Sequence, residues 1–177
     1  MEDGALCACR ERWEGPTMVD RMSTMARSRL MSSVKRRDTK IEKTVRSFLH
    51  RKGFRFRVDV ATLPGRPDIV LRRWEAVIFV HGCFWHRHQG CPRSRLPATN
   101  TDFWAAKLKE NAQRDLRACR ELTKAGWRVA TIWECSMNSQ YGLACLDALS
   151  DWLRSEKTTF SSDAIWKRSD DVPPPEP

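Results

Sequence analysis

Apolar residues recur along this chain first at helical intervals, then as short β-type runs, and then at helical intervals again. In residues 39–53, TKIEKTVRSFLHRKG, the positions Ile41, Val45, Phe48 and Leu49 fall on one helix face. Thr39-Lys40-Ile41-Glu42 has the form of a capping box, and Gly53 supplies a stop. FRFRVDV, residues 54–60, alternates like a half-buried strand. RPDIVLRR (66–73) and WEAVIFVHG (74–82) are β-branched and aromatic runs, the second apolar enough to be a central strand. Residues 101–126 set Trp104, Leu108, Ala112, Leu116, Cys119 and Leu122 on one face of a long helix that Gly126 ends. WRVATIWEC (127–135) reads as another buried strand and residues 141–156 as a final amphipathic helix. The order α-β-β-β-α-β-α predicts an α/β fold, a mixed central sheet flanked by helices, with no internal repeat.

Composition sets limits on this picture. A chain of 177 residues suffices for one domain with a real core. Residues 1–20 read as an N-terminal extension expected to be poorly ordered, 21–157 as a single domain whose basic arm is 21–38, and 158–177 as a polar, proline-rich tail. The longest apolar runs, such as AVIFV, fall far short of the roughly 20 residues a membrane helix needs. The N-terminus carries acids among its bases and has no long apolar stretch, so it does not read as a secretory signal, and the cytoplasm is the expected compartment. Seven cysteines in a reducing compartment favour metal over disulfides. Of the net charge of +10, residues 21–57 alone supply +11, from thirteen Lys/Arg against Asp38 and Glu42. Such a concentration suits a polyanion, with nucleic acid the natural partner.

The chemistry concentrates in HGCFWHRHQGC, residues 81–91. Cys83, His88 and Cys91 give C-x4-H-x2-C, whose thiolate and imidazole ligands suit a closed, tetrahedral, structural zinc site. Cys135, at the end of a neighbouring strand, is the best fourth ligand, whereas Cys119 and Cys145 sit on helix faces as small apolar residues. The pair Cys83-x2-His86 has acceptable spacing too. If His88 goes to the metal, His81 and His86 remain for proton transfer near neutral pH. Asp68 follows the rigid turn LPGRP at the start of a strand, where a hard carboxylate can hold Mg²⁺. Together these residues could support metal-assisted phosphodiester hydrolysis. Each also has an ordinary role: Asp68 ending a turn, His81 finishing a strand, Glu42 capping a helix.

RDTKIEK, LPGRPDIV, VIFVHGCFWHRHQGC, PATNTDFW and GWRVATIWEC, in this order and spacing over residues 21–138, closely resemble the very-short-patch repair endonucleases. The resemblance implies a restriction-endonuclease-like core and a nick on the 5′ side of the thymine in a T:G mismatch left by deamination of 5-methylcytosine. It implies that Asp68 holds the catalytic Mg²⁺ with the backbone carbonyl of Val80, that His86 moves the proton at the scissile phosphate, and that His81 and Glu42 support them. It assigns Zn²⁺ to Cys83, His88, Cys91 and Cys135. Phe84, Trp85 and Trp104 match an aromatic wedge inserted beside the mismatch, and Met31 matches a residue entering from the minor-groove side. Inserted side chains cost a few kcal/mol of unstacking per base step, least at a pair already mismatched. The implied setting is a bacterial nucleoid, with a monomer acting on double-stranded DNA, mismatch-repair proteins as further contacts, and a functional link to a cytosine-5 methyltransferase. Two other readings of the residues stand beside it: a sequence-specific restriction-type nuclease on the same scaffold, and a non-catalytic zinc-containing DNA-binding protein.

Overall fold

A computed structural model of the chain describes Met25, Arg29, residues 37–138 and residues 140–163. The N-terminal extension, most of the basic arm including Met31, and residues 164–177 lie outside the described residues. Helix α1 spans Lys40–Arg51 and starts as its sequence dictates. The Thr39 hydroxyl accepts from the Glu42 backbone N–H, and the Glu42 carboxylate accepts from the backbone N–H of Thr39. Among the described residues four strands follow: β1 (Ile69–Leu71), β2 (Ala76–His81), β3 (Arg128–Trp133) and β4 (Thr159–Ser161). They lie in the order β1-β2-β3-β4, with β1 antiparallel to β2 and the other three parallel. Helix α2 (Thr101–Lys124) carries the chain from β2 to β3, and α3 (Gly142–Arg154) carries it from β3 to β4.

Period-two alternation along β2 divides the core into two layers. Ala76 and Ile78 pack with Val45, Phe48 and Leu49 of α1 and with Leu146, Leu149 and Leu153 of α3. Val77 and Phe79 face the other way, onto Leu122 of α2. A sheet covered on both faces needs an apolar central strand, which is why β2 reads AVIF without a polar break. The mixed sheet with flanking helices agrees with the restriction-endonuclease-like fold expected above. Among the described residues, no helix is long and apolar enough to cross a membrane.

Three local expectations change. FRFRVDV does not form a strand: only Arg57 pairs, with Val70, and Asp59 at φ 53° turns the chain away from extended geometry. On α2 the buried stripe begins at Trp104 and Leu108 as expected but continues through Ala118 to Leu122, while Leu116 is exposed. Residues 159–161, grouped above with the polar tail, pair with β3 instead.

Because β2 and β3 are parallel and β1 runs against them, His81, Trp133 and the residue preceding β1, Asp68, all come to one end of the sheet. The turn before Asp68 is held tightly against α2. Gly65, at φ 71°, sits where an added Cβ would lie 2.6 Å from the Ala118 Cβ, so this approach requires glycine. The connection from β2 to α2 starts at the same end of the sheet and carries the cysteine- and histidine-rich segment.

Candidate functional site

Asp68 projects from the start of β1 toward β2, where its Oδ2 accepts the Val80 backbone N–H at 2.7 Å. Burial pushes its carboxyl up from 3.8 to about 6; the Val80 hydrogen bond opposes that rise, and the neighbouring Glu42 charge adds to it. Glu42 is itself buried, 4% exposed. Its oxygens accept from the Asp38 N–H (3.0 Å) and the Thr39 hydroxyl (2.9 Å) and are paired with the Arg46 guanidinium. The helix cap thus brings a second carboxylate to Asp68, and Arg46, which the sequence reading passed over, offsets part of the accumulated negative charge.

His81 ends β2 and is 7% exposed. Burial, with His86 alongside, pulls its imidazole down to about 3, so it is neutral at working pH. The His86 ring stacks on it, 3.8 Å between centroids and 3° between planes. The Nδ1 of His86 lies 2.6 Å from Asp115 Oδ2 on α2. Burial raises the Asp115 carboxyl, but the His86 hydrogen bond together with the charges of His86, His81 and Arg114 outweighs this and leaves it below its ordinary value. An ionised carboxylate at Nδ1 places the imidazole proton there and leaves Nε2 as the lone-pair nitrogen. His81, His86 and Asp115 bring ligand atoms within 4.8 Å of one another. Parallel stacked imidazoles direct their lone pairs in parallel planes, which is not the geometry of two ligands converging on one ion.

The spacing ambiguity between His86 and His88 is resolved by where the rings face. His88, 1% exposed, turns Nδ1 toward Cys83 Sγ at 3.5 Å and Cys135 Sγ at 3.3 Å. Cys83, His88, Cys91 and Cys135 are all buried, with donor atoms within 4.8 Å of one another. In a tetrahedron built with ordinary Zn–S and Zn–N bonds, the N···S edge is about 3.5 Å, so this donor set fits zinc. None of these cysteines is in a disulfide. Around the cluster the loop is tied to the turn after β3 and to α2: Cys83 N–H donates to Glu134 Oε2 at 3.3 Å, and the Asn111 amide donates to the Trp85 carbonyl at 3.1 Å.

Phe84, Trp85 and Trp104 meet edge to face, with centroids 5.1, 5.4 and 6.0 Å apart. Trp104 is buried beneath the other two, which are half-buried, and beside it Phe103 is 58% exposed. The described structure therefore joins Asp68, Glu42, His81, His86, the four zinc-type donors and three aromatics at one end of the sheet. Asp115, Asn111 and Phe103 belong to this surface and were missed by the sequence reading. Asn111 and Asp115 are the two polar positions of the stripe 104, 108, 111, 115, 118, 122, one of two comparably regular stripes on this helix.

Comparison with known proteins gives a consistent result. A family model described as DNA mismatch endonuclease Vsr matches residues 19–93. The chain is 41% identical over 149 residues to the DNA mismatch endonuclease Vsr of Escherichia coli (strain K12), covering 82% of this chain and 95% of that one. It is 46% identical over 121 residues to the type II nicking enzyme V.XorIIP of Xanthomonas oryzae pv. oryzae, covering 68% and 88%. To the type II nicking enzyme V.NmeAIP of Neisseria meningitidis serogroup A it is 39% identical over 140 residues, covering 79% and 98%.

Proposed function

The chain belongs to the DNA mismatch endonuclease Vsr family and is a DNA-nicking hydrolase; on that premise we propose that it cuts one strand 5′ to the thymine of a T:G pair left by 5-methylcytosine deamination. One observation carries the reading of the site. A buried carboxylate, Asp68, and an imidazole oriented through its Nδ1 by Asp115 lie at the same end of the sheet as the Cys₃His cluster.

Asp68, with the Val80 carbonyl, would hold Mg²⁺, which supplies positive charge to the phosphate and the departing oxygen. His86 accepts the proton of the attacking water at Nε2, the nitrogen that Asp115 leaves free. His81 stays neutral and, stacked on His86, fixes the ring plane without adding a competing charge. Glu42, locked by its cap and Arg46, keeps the Asp68 environment negative and so favourable to a divalent cation. Cys83, His88, Cys91 and Cys135 would hold Zn²⁺, a rigid cross-link between the loop and the end of β3. The loop then presents Phe84 and Trp85, backed by Trp104, to the base stack. Met31 and the basic arm, most of which lies outside the described residues, would add minor-groove and phosphate contacts. The same reading places the protein in the cytoplasm as a monomer on double-stranded DNA. A cytosine-5 methyltransferase would provide the base whose deamination creates the mismatch, and mismatch-repair proteins would be further contacts.

Nicking of T:G and fully paired duplexes of one sequence, with the cut mapped, tests this function. We expect cleavage 5′ to the mismatched thymine and at least about 100-fold slower cutting of paired DNA, since a few kcal/mol of unstacking separates them. Equal rates would instead make the protein a nuclease for paired DNA. Asp115→Asn is expected to slow single-turnover nicking by about 10–100-fold, part of the ~10²–10⁴ a positioned base contributes, with DNA affinity and zinc content unchanged. Asp115→Glu, which keeps the charge, should recover part of that loss; equal activity in all three proteins would remove Asp115 from the mechanism.

A further inference from the structure

Chain beyond α3 that reads as tail in the sequence is built into the metal cluster. The His88 ring has two nitrogens with different surroundings. Nδ1 faces the Cys83 and Cys135 sulfurs, and Nε2 is hydrogen-bonded to Asp163 Oδ1. The ring also lies flat on Trp133, centroids 4.1 Å apart and planes 8° apart. A histidine that ligates through one nitrogen needs its other N–H fixed by an acceptor, which sets the tautomer and aims the lone pair.

Asp163 is delivered to that position by β4 and held there. The Ser161 hydroxyl donates to Asp163 Oδ2 at 3.1 Å. Ser162, fully buried, donates its N–H to the Thr131 carbonyl at 3.1 Å. Its hydroxyl oxygen accepts from the Trp133 N–H and from the Ser136 hydroxyl, both at 2.8 Å. The β3–β4 ladder ends at Thr131 and Ser161, so the Ser162 side chain takes over pairing for the next free donor on β3. Its two partners flank the site: Trp133 stacks on His88, and Ser136 directly follows the ligand Cys135.

We propose that Asp163, seated by Ser162, is a positioning residue for the Cys83–His88–Cys91–Cys135 centre, fixing His88 as an Nδ1 ligand so that metal retention depends on the segment after α3. This rests on reading the cluster as a zinc site. Asp163 acts through His88. Its side chain is 33% exposed, so replacing it leaves no cavity in the core.

The test is zinc affinity of the full chain, measured by competition with a chromophoric chelator, for native protein, Asp163→Asn, Asp163→Ala and Asp163→Glu. We expect Asp163→Ala to bind zinc about 10–100-fold more weakly, with Asp163→Asn and Asp163→Glu between it and native. Asp163→Ala within twofold of native overturns the proposal while leaving the zinc reading intact. Native protein that binds no zinc overturns the zinc reading and Asp163's role with it. Long-range ¹H–¹⁵N spectra of the native zinc-loaded protein give a measurement independent of any variant. The His88 proton should reside on Nε2; a proton on Nδ1 with the metal on Nε2 overturns the proposal.

Discussion

Asp68→Asn is expected to abolish nicking while making the folded protein more stable at neutral pH. Asp68 is ionised in unfolded chain above its ordinary 3.8, whereas in the fold burial and Glu42 hold it at about 6. Between those two values the folded form carries a proton the unfolded form has lost. Stability therefore falls as pH rises through that window and stays reduced above it. The shift corresponds to roughly 3 kcal/mol, or on the order of 5–10 °C in Tm, set against a function that needs an anionic oxygen. Asparagine keeps an acceptor for the Val80 N–H and removes the charge. In magnesium-free buffer, Asp68→Asn should melt above native protein at pH 7.5, and the two should converge near pH 4. Added Mg²⁺ should raise the native Tm and leave the variant unmoved, because the stabilisation comes from ligand binding to the folded state alone. Nicking should fall by at least about 10³-fold, with T:G discrimination in binding retained, since the metal's charge on the phosphate is lost while the wedge is intact. A variant that melts below native at pH 7.5, or that nicks at a comparable rate, would contradict the assignment of Asp68 as the strained metal-binding carboxylate.

Most of this site could be read from the sequence because its donors are chemically rare and lie close together. Cys83, His88 and Cys91 fall within one loop, and the end of the strand holding Trp133 directs attention to Cys135. Spacing could not choose between His86 and His88, because both separations from Cys83 suit a loop. Ring orientation chooses: His88 faces sulfur and His86 faces Asp115. Asp115 was hidden by register. Ala112 and Leu116 offer an apolar stripe about as regular as the true one, and only packing against the loop shows that Asn111 and Asp115 point inward. Asp163 was hidden by composition, since Ser-Ser-Asp before a proline-rich end looks like solvated tail. Its seat exists only because β3 outlasts its ladder with β4 by two residues. FRFRVDV shows the opposite error: alternation is present, but β1 offers just three residues to pair with and Asp59 turns the chain away.

Loss of one thiolate from the Cys₃His centre is expected to be more damaging than loss of Asp68, because the loop at residues 82–95 is otherwise held by single side-chain contacts to Glu134, Asn111, Asp115 and Trp104. Its own backbone bonds are turns, such as His88 N–H to the Cys83 carbonyl at 2.9 Å and Cys91 N–H to the His88 carbonyl at 3.3 Å. The buried residues beneath it form a separate cluster of Cys83, Cys91 and Cys135 against Trp133, with no large aliphatic side chain. Beyond Phe84 and Trp85 against Trp104, little apolar area is therefore available to hold the loop if the cross-link fails. Structural zinc contributes about 10–16 kcal/mol of apparent binding free energy in small peptide sites, so even a fraction of it dominates a loop of this kind. Phe84, Trp85 and His86 are all mounted on that loop, whereas His81 ends β2 and Asp68 directly precedes β1. Cys135→Ser should thus lose recognition and proton transfer together: nicking down by at least about 10³-fold, T:G and paired duplexes bound alike, and zinc content well below one equivalent. The Mg²⁺-induced rise in Tm should persist, because Asp68 and Val80 are held by β1 and β2 without the loop. The two variants then separate the site into halves, Asp68→Asn discriminating without cutting and Cys135→Ser doing neither. Cys135→Ser protein that still nicked T:G DNA selectively would mean that the aromatic loop is held by packing alone.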